Sequence, residues 1–136
     1  MSSYPIDAIE GIGPKYAEKL KGAGVGATGV LLERAKDPKG RKELAAAAGL
    51  DEAQILKWAN MADLMRIKGV GEEYSELLEA AGVDTVKELK HRNAANLAKA
   101  MADANLKKKL VRQLPGEATV EKWIEEAKTL PGVLTY

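Results

Sequence analysis

Residues 9–25 read IEGIGPKYAEKLKGAGV. Two glycines bracket an isoleucine, a proline and a lysine follow, and an amphipathic run closes at Gly24. This pattern reverses the chain within a few residues and then starts a helix. Glycine takes positive φ and lets backbones approach closely, so Gly11 and Gly13 suit the reversal. Ile12 between them is an apolar anchor, and Leu20 and Val25 complete a small core around it. Pro14 belongs in the first turn of the helix, where its missing N–H costs nothing. The helix is predicted to run to about Ala23, with Gly24 as a left-handed stop.

The same pattern returns. Residues 67–83 read IKGVGEEYSELLEAAGV, a match at a shift of 58 that pairs Gly11 with Gly69, Gly13 with Gly71, Tyr16 with Tyr74 and Leu20 with Leu78. Later, Ile55, Trp58, Ala62 and Met65 recur as Val120, Trp123, Ala127 and Leu130, with identical steps at a shift of 65. An internal repeat of this length points to two structural units sharing one plan. The predicted boundaries are residues 6–66 and 67–131.

The remaining signals are helical. Asp51 with Gln54 reads as a capping box for a helix to about Ile67, and Thr85 with Glu88 reads likewise for a short one. Asn93 caps the run AANLAKAMADA, and Pro115-Gly116 and Pro131-Gly132 bracket the last helix. No useful run alternates with period two, so no sheet is predicted. Composition agrees: 46% apolar and 30% charged residues, with no phenylalanine. The absence of cysteine removes disulfides, thiolate metal sites and a cysteine nucleophile. The opening MSSYPIDAIEG has no signal-peptide character, and no apolar run reaches the roughly 18 residues of a membrane helix. The expected setting is cytoplasmic, without membrane association.

A glycine–hydrophobe–glycine turn followed by an alanine- and leucine-containing helix ending in glycine resembles the helix-hairpin-helix motif, at Ile9–Val25 and again at Ile67–Val83. More widely, KGRKELA, LKWANMADLMRIKGVGEEYSELLEAAGV and VEKWIEEA are similar to a bacterial family of unassigned function built from such hairpins. The resemblance implies an all-α protein: two similar helix-hairpin-helix-containing halves packed as a compact helical bundle.

It also implies a role. Such modules hold nucleic-acid backbone without reading sequence. Free amides at the turn and at the next helix N-terminus form an anion site, aided by the helix dipole. Carried onto the first copy, the phosphate-gripping positions are Gly11, Ile12, Gly13 and Lys15, with Ile12, Gly13 and Lys15 offering N–H groups. In the second copy, Gly69, Val70 and Gly71 keep the turn, but Glu72 and Glu73 stand where Pro14 and Lys15 stood. Carboxylates there stabilise a helix start and repel phosphate, so this copy is expected to be a structural hairpin only.

Net charge is only +1, but it is unevenly spread. Residues 72–84 hold five acidic groups and no basic one. Residues 87–112 hold eight basic residues against Glu88 and Asp103, including Lys107, Lys108, Lys109 and Arg112, which are candidate backbone contacts. A second basic run contains Arg34, Lys36, Lys39, Arg41 and Lys42. Opposite patches also suit a protein partner or a homo-oligomer. Trp58, Trp123, Tyr16 and Tyr74 read as packing residues, Tyr4 and Tyr136 as lying in mobile ends, and the single histidine, His91, as solvent-facing. No phosphate-loop or dinucleotide fingerprint occurs, and no nucleophile–base pairing is visible. The expectation is a non-enzymatic module with no metal or cofactor, binding DNA or RNA backbone. The alternative is a protein-interaction or self-assembly module.

Overall fold

The computed structural model describes residues 3–136. These form eight α-helices and no strand: α1 Pro14–Gly22, α2 Thr28–Arg34, α3 Pro38–Ala48, α4 Glu52–Leu64, α5 Glu72–Ala80, α6 Val86–Leu89, α7 Ala94–Lys108 and α8 Glu117–Thr129. The protein is all-α. A single 3-10 turn, Ile6–Ala8, precedes the first hairpin, so no α-helix leads into it.

Local chemistry sets the helix ends. Pro14 and Pro38 each occupy a first turn. Asp37 accepts from the Gly40 N–H at 2.7 Å, and Asn93 accepts from the Asn96 N–H at 3.0 Å, each satisfying one orphan amide of a helix start. Gln54 Oε1 reaches the Asp51 N–H at 3.5 Å. Thr85 Oγ1 accepts from the Glu88 N–H, whereas the Glu88 carboxylate takes the Asp84 N–H instead of closing the expected box onto Thr85. α4 stops at Leu64, three residues short of the expected end, because the chain must turn through Arg66 and Ile67 into the second hairpin.

Both hairpin glycines that open the turns are left-handed, Gly11 at φ 92° and Gly69 at φ 89°. That region penalises any Cβ, which explains glycine there. Ile12 donates to the Ile9 carbonyl at 3.1 Å and Val70 to the Ile67 carbonyl at 3.1 Å. At the far ends of α1 and α5, Val25 donates to Leu20 O at 2.8 Å and Val83 to Leu78 O at 2.9 Å.

Buried apolar side chains fall into two clusters. One joins Ile6, Ile9, Ile12, Leu20, Leu31, Leu44, Ile55 and Trp58; the other joins Val70, Leu77, Leu78, Val83, Leu97, Met101, Val120 and Trp123. Removing such a side chain from water is worth about 1.5–3 kcal/mol. α4 and the turn after it supply both, with Ile55, Ala62 and Met65 in the first and Leu64 and Ile67 in the second. Tyr16 packs on Trp58 and Tyr74 on Trp123, each with centroids 5.3 Å apart and tilted by 57° and 52°. Tilted aromatic pairs of this spacing favour the ring quadrupoles.

Two arginines are structural. Arg66 is buried and pairs with Asp63 at 2.7 Å. Arg41 is also buried and donates to the carbonyls of Ala35 and Thr135 at 2.9 and 2.7 Å. Thr135 belongs to a C-terminal strap that leaves α8 and returns to the first cluster. Arg66 donates to Pro131 O at 2.9 Å, Thr135 N–H donates to Lys36 O at 2.7 Å, and Val133 and Leu134 pack on the first cluster. Tyr136 donates from its hydroxyl to Asn60 Oδ1 at 3.1 Å, and the Tyr4 N–H donates to Thr28 Oγ1 at 3.0 Å. Tyr4 and Tyr136, expected in mobile ends, thus each make a hydrogen bond to a residue distant in sequence.

Candidate functional site

In the first hairpin, Gly11, Gly13, Pro14 and Lys15 are exposed and Ile12 is buried at 4%. Ile12 anchors the turn as its apolar side chain predicts. Its amide is not available to a ligand, since it already bonds to Ile9 O. The sequence reading that counted Ile12 among the amide donors is thus corrected by the turn's own hydrogen bond. The amides of Gly13, Lys15 and Tyr16 have no acceptor among the described residues. They are the orphan donors of α1, which carries Lys15, Lys19 and Lys21 against Glu18. A helix start of this kind attracts anions through its N–H groups and its dipole.

The second hairpin has the same backbone and the opposite charge. Gly71, Glu73 and Tyr74 likewise lack amide acceptors among the described residues, but the exposed Glu72 and Glu73 stand over that helix start. In addition, both carboxylate oxygens of Glu126, from α8, accept from the Lys68 N–H at 3.2 Å. An internal anion thus already sits on this turn. At the matching place in the first hairpin stands Met61, which has no carboxylate.

Between the first hairpin and α5 lies a cavity of about 440 Å³. Glu10, Gly11, Lys57, Glu76, Glu79 and Lys108 line it. Gly13 and Lys15 do not. Glu72 is pushed up to about 6, first by its hydrogen bond with the Glu10 side chain, then by burial and by the charges of Glu10, Glu73 and Glu76. Glu76 is raised as well, first by burial and then by Glu10 and Glu79, while Lys57 and Lys108 pull it back. The acidic wall therefore flanks the Glu10 side of the turn, and the open amides of α1 lie beyond it.

The basic residues at the end of α7 occupy a sharp corner. α7 closes at Lys108, Lys109 adopts a left-handed conformation at φ 51°, and Arg112 lies in the following loop. Lys107, Lys108, Lys109 and Arg112 are all exposed. Lys108 shares the cavity with Gly11, so the structure brings the first hairpin and this corner together at one point. It also places Lys108 with Glu76 and Glu79, so the acidic and basic segments partly face each other within the monomer.

The other basic run is dispersed. Arg34 donates to Ala23 O, Lys36 pairs with Glu33 at 3.0 Å, and Arg41 is buried. Sequence reading missed the Glu10–Glu72 contact, the Glu126 carboxylate on Lys68 and both arginine–carbonyl networks. Only Arg66, three residues after Asp63, carried a visible signal. His91 is exposed. Among the described residues, no group of three or more His, Cys, Asp and Glu is placed to hold a metal ion, and no helix is long and apolar enough to cross a membrane.

Residues 10–130 match the model of a family described as a domain of unknown function, DUF4332, and the chain belongs to that family. No curated protein and no solved structure matches it.

Proposed function

We propose that this member of the DUF4332 family is a non-enzymatic cytoplasmic binding module of two helix-hairpin-helix units, residues 6–66 and 67–131, and that the first unit holds nucleic-acid backbone without reading sequence. The observation that carries the reading is the start of α1. Gly13, Lys15 and Tyr16 present unpaired amides on an exposed helix end beside a lysine. Contacts of this kind position a phosphate and carry no base information. Lys107, Lys108, Lys109 and Arg112 add further charge around the α7 corner. The second unit, with Glu72, Glu73 and Glu126 on its turn, serves as scaffold.

With one grip and a few lysines, affinity is modest and falls steeply with salt, since each neutralised phosphate adds one increment of counterion release. Fluorescence anisotropy of labelled duplex and single-stranded DNA and RNA at low salt tests this. Binding is expected, and Lys15→Glu is expected to weaken it several-fold while Glu73→Gln leaves it intact or strengthens it. No binding at low salt, or binding indifferent to Lys15→Glu, ends the proposal.

A second reading, a protein-interaction module, is favoured by the acidic wall of Glu10, Glu72, Glu76 and Glu79 beside the first hairpin. That wall repels a polyanion crossing from the hairpin to Lys108 and suits a basic protein segment.

A further inference from the structure

The geometry points to a binding site for a free basic α-amino acid, a small molecule with one carboxylate and two cationic groups, in the cavity between the first hairpin and α5. This goes beyond nucleic-acid binding and shares only Lys108 with it.

The second hairpin shows what the first leaves open. There the Lys68 N–H donates to the Glu126 carboxylate at 3.2 Å. At the shift of 58, Lys68 corresponds to Glu10, and at the shift of 65, Glu126 corresponds to Met61. Glu10, Gly11 and Met61 all line the cavity. The Glu10 and Gly11 amides have no acceptor among the described residues. Trp58, only 4% exposed, brings its indole nitrogen to the edge of the same turn, 3.7 Å from where a Cβ on Gly11 would stand. The first hairpin thus repeats a backbone donor that holds a carboxylate in the second, and sets it beside a cavity instead of a glutamate. Hydrogen bonds from N–H to a carboxylate are among the stronger ones.

The side chains select which carboxylate enters. Lys57 and Lys108 face the cavity together with Glu10, Glu76 and Glu79, and none of the five makes an ion pair among the described residues. Two ammonium groups against three carboxylates leave one uncompensated negative charge. Burial, Glu10 and Glu79 push Glu76 up, and Lys57 and Lys108 pull it back only in part, as befits a carboxylate short of a counter-cation. A ligand with one carboxylate and two cations cancels the excess. Its carboxylate meets the hairpin amides and Lys57, and its cations meet Glu76 and Glu79. Among the described residues, no group of three or more His, Cys, Asp and Glu is placed to hold a metal ion, so the spread carboxylates suit an extended organic cation. The volume of about 440 Å³ lies within the roughly 300–1,000 Å³ of small-molecule sites.

Amide-resolved NMR of the full chain, free of nucleic acid and titrated with L-lysine, tests the inference. L-Lysine is expected to shift the Glu10 and Gly11 amides and the Trp58 indole N–H together, with a Kd of about 1 mM or tighter. The Lys68 amide, already bonded to Glu126, is expected to stay still. Cadaverine, which is lysine without its carboxylate, and L-glutamate, which carries the opposite net charge, are each expected to bind about tenfold or more weakly. Lys57→Ala and Glu79→Gln are expected to weaken L-lysine binding several-fold with an unchanged helical circular dichroism spectrum. Met61→Glu copies Glu126 into the first hairpin and is expected to abolish binding by filling the site. Should that variant fail to fold, the other two decide the matter. The absence of a saturable shift with L-lysine overturns the inference. So does cadaverine or L-glutamate binding as tightly as L-lysine, and so do Lys57→Ala and Glu79→Gln variants of wild-type affinity. Because no nucleic acid is present, failure here is distinct from failure of DNA binding.

Discussion

Replacing Asp63 by alanine is expected to be the most damaging single truncation of a charged residue in the chain. The two side chains of the Asp63–Arg66 pair are 3% and 2% exposed. One Asp63 oxygen accepts from Arg66 Nη1 at 2.7 Å, and the other accepts from the Val86 N–H at 2.9 Å. A single carboxylate thus neutralises a buried cation and satisfies the first amide of α6. Arg66 has little reserve: Nη2 reaches only Pro131 O, and Nε has no partner. Truncation leaves a buried guanidinium uncompensated and a buried amide unpaired. Breaking one side of a buried pair costs about 3–5 kcal/mol, or a fall in Tm of roughly 10–20 °C for a domain of this size. Urea titration and thermal melts followed by circular dichroism measure it. The double variant Asp63→Leu with Arg66→Met removes both charges together, and it is expected to recover more than half the loss. A single variant within about 1 kcal/mol of wild type refutes the reasoning, as does a double variant no better than the single.

Three other outcomes follow from the same structure. Lys109→Gly relieves the left-handed cap of α7 and is expected to stabilise by about 0.5–1 kcal/mol in urea titration. Gly40→Ala drives a methyl into the Arg34 carbonyl oxygen, a backbone atom that cannot rotate away; a loss of about 3 kcal/mol or more is expected in the same assay. Glu72 titrates near 6 in the folded protein, above the ordinary 4.5, so the fold binds this proton more tightly than the unfolded chain does. Stability therefore falls as pH rises from about 4.5 through 6 and levels off above. Tm measured across that window is expected to decline in wild type and to flatten in Glu72→Gln.

The glycine turns were legible because backbone geometry imposes residue type directly. Gly11 and Gly69 sit at φ near 90°, which glycine alone adopts freely, and Ile12 and Val70 are buried anchors at the same step of each turn. The helix starts at Pro14 and Asn93 and the packing roles of Trp58 and Trp123 were legible for similar reasons: the cause lies within a few residues, or repeats at a fixed shift. α2 and α3 were less visible, being short or alanine-rich with little apolar periodicity.

What escaped the sequence was long-range. Arg41 looked like one cation in a basic run, yet it is buried because a strap 94 residues away supplies a carbonyl. Glu126 meets the Lys68 amide across 58 residues, and Glu10 meets Glu72 across the junction of the two hairpins. None of these contacts leaves a local pattern. The Ile12 amide shows a subtler limit: the motif implied a free donor, but the turn that buries the side chain also consumes its N–H.

The central claim is that phosphate settles on the start of α1 and not on the start of α5. Amide-resolved NMR during titration with a short DNA duplex at low salt tests it most directly. The account predicts that Gly13, Lys15 and Tyr16 shift early and together, while Gly71, Glu73 and Tyr74 stay still. Equal movement at both helix starts, or none at the first, contradicts it.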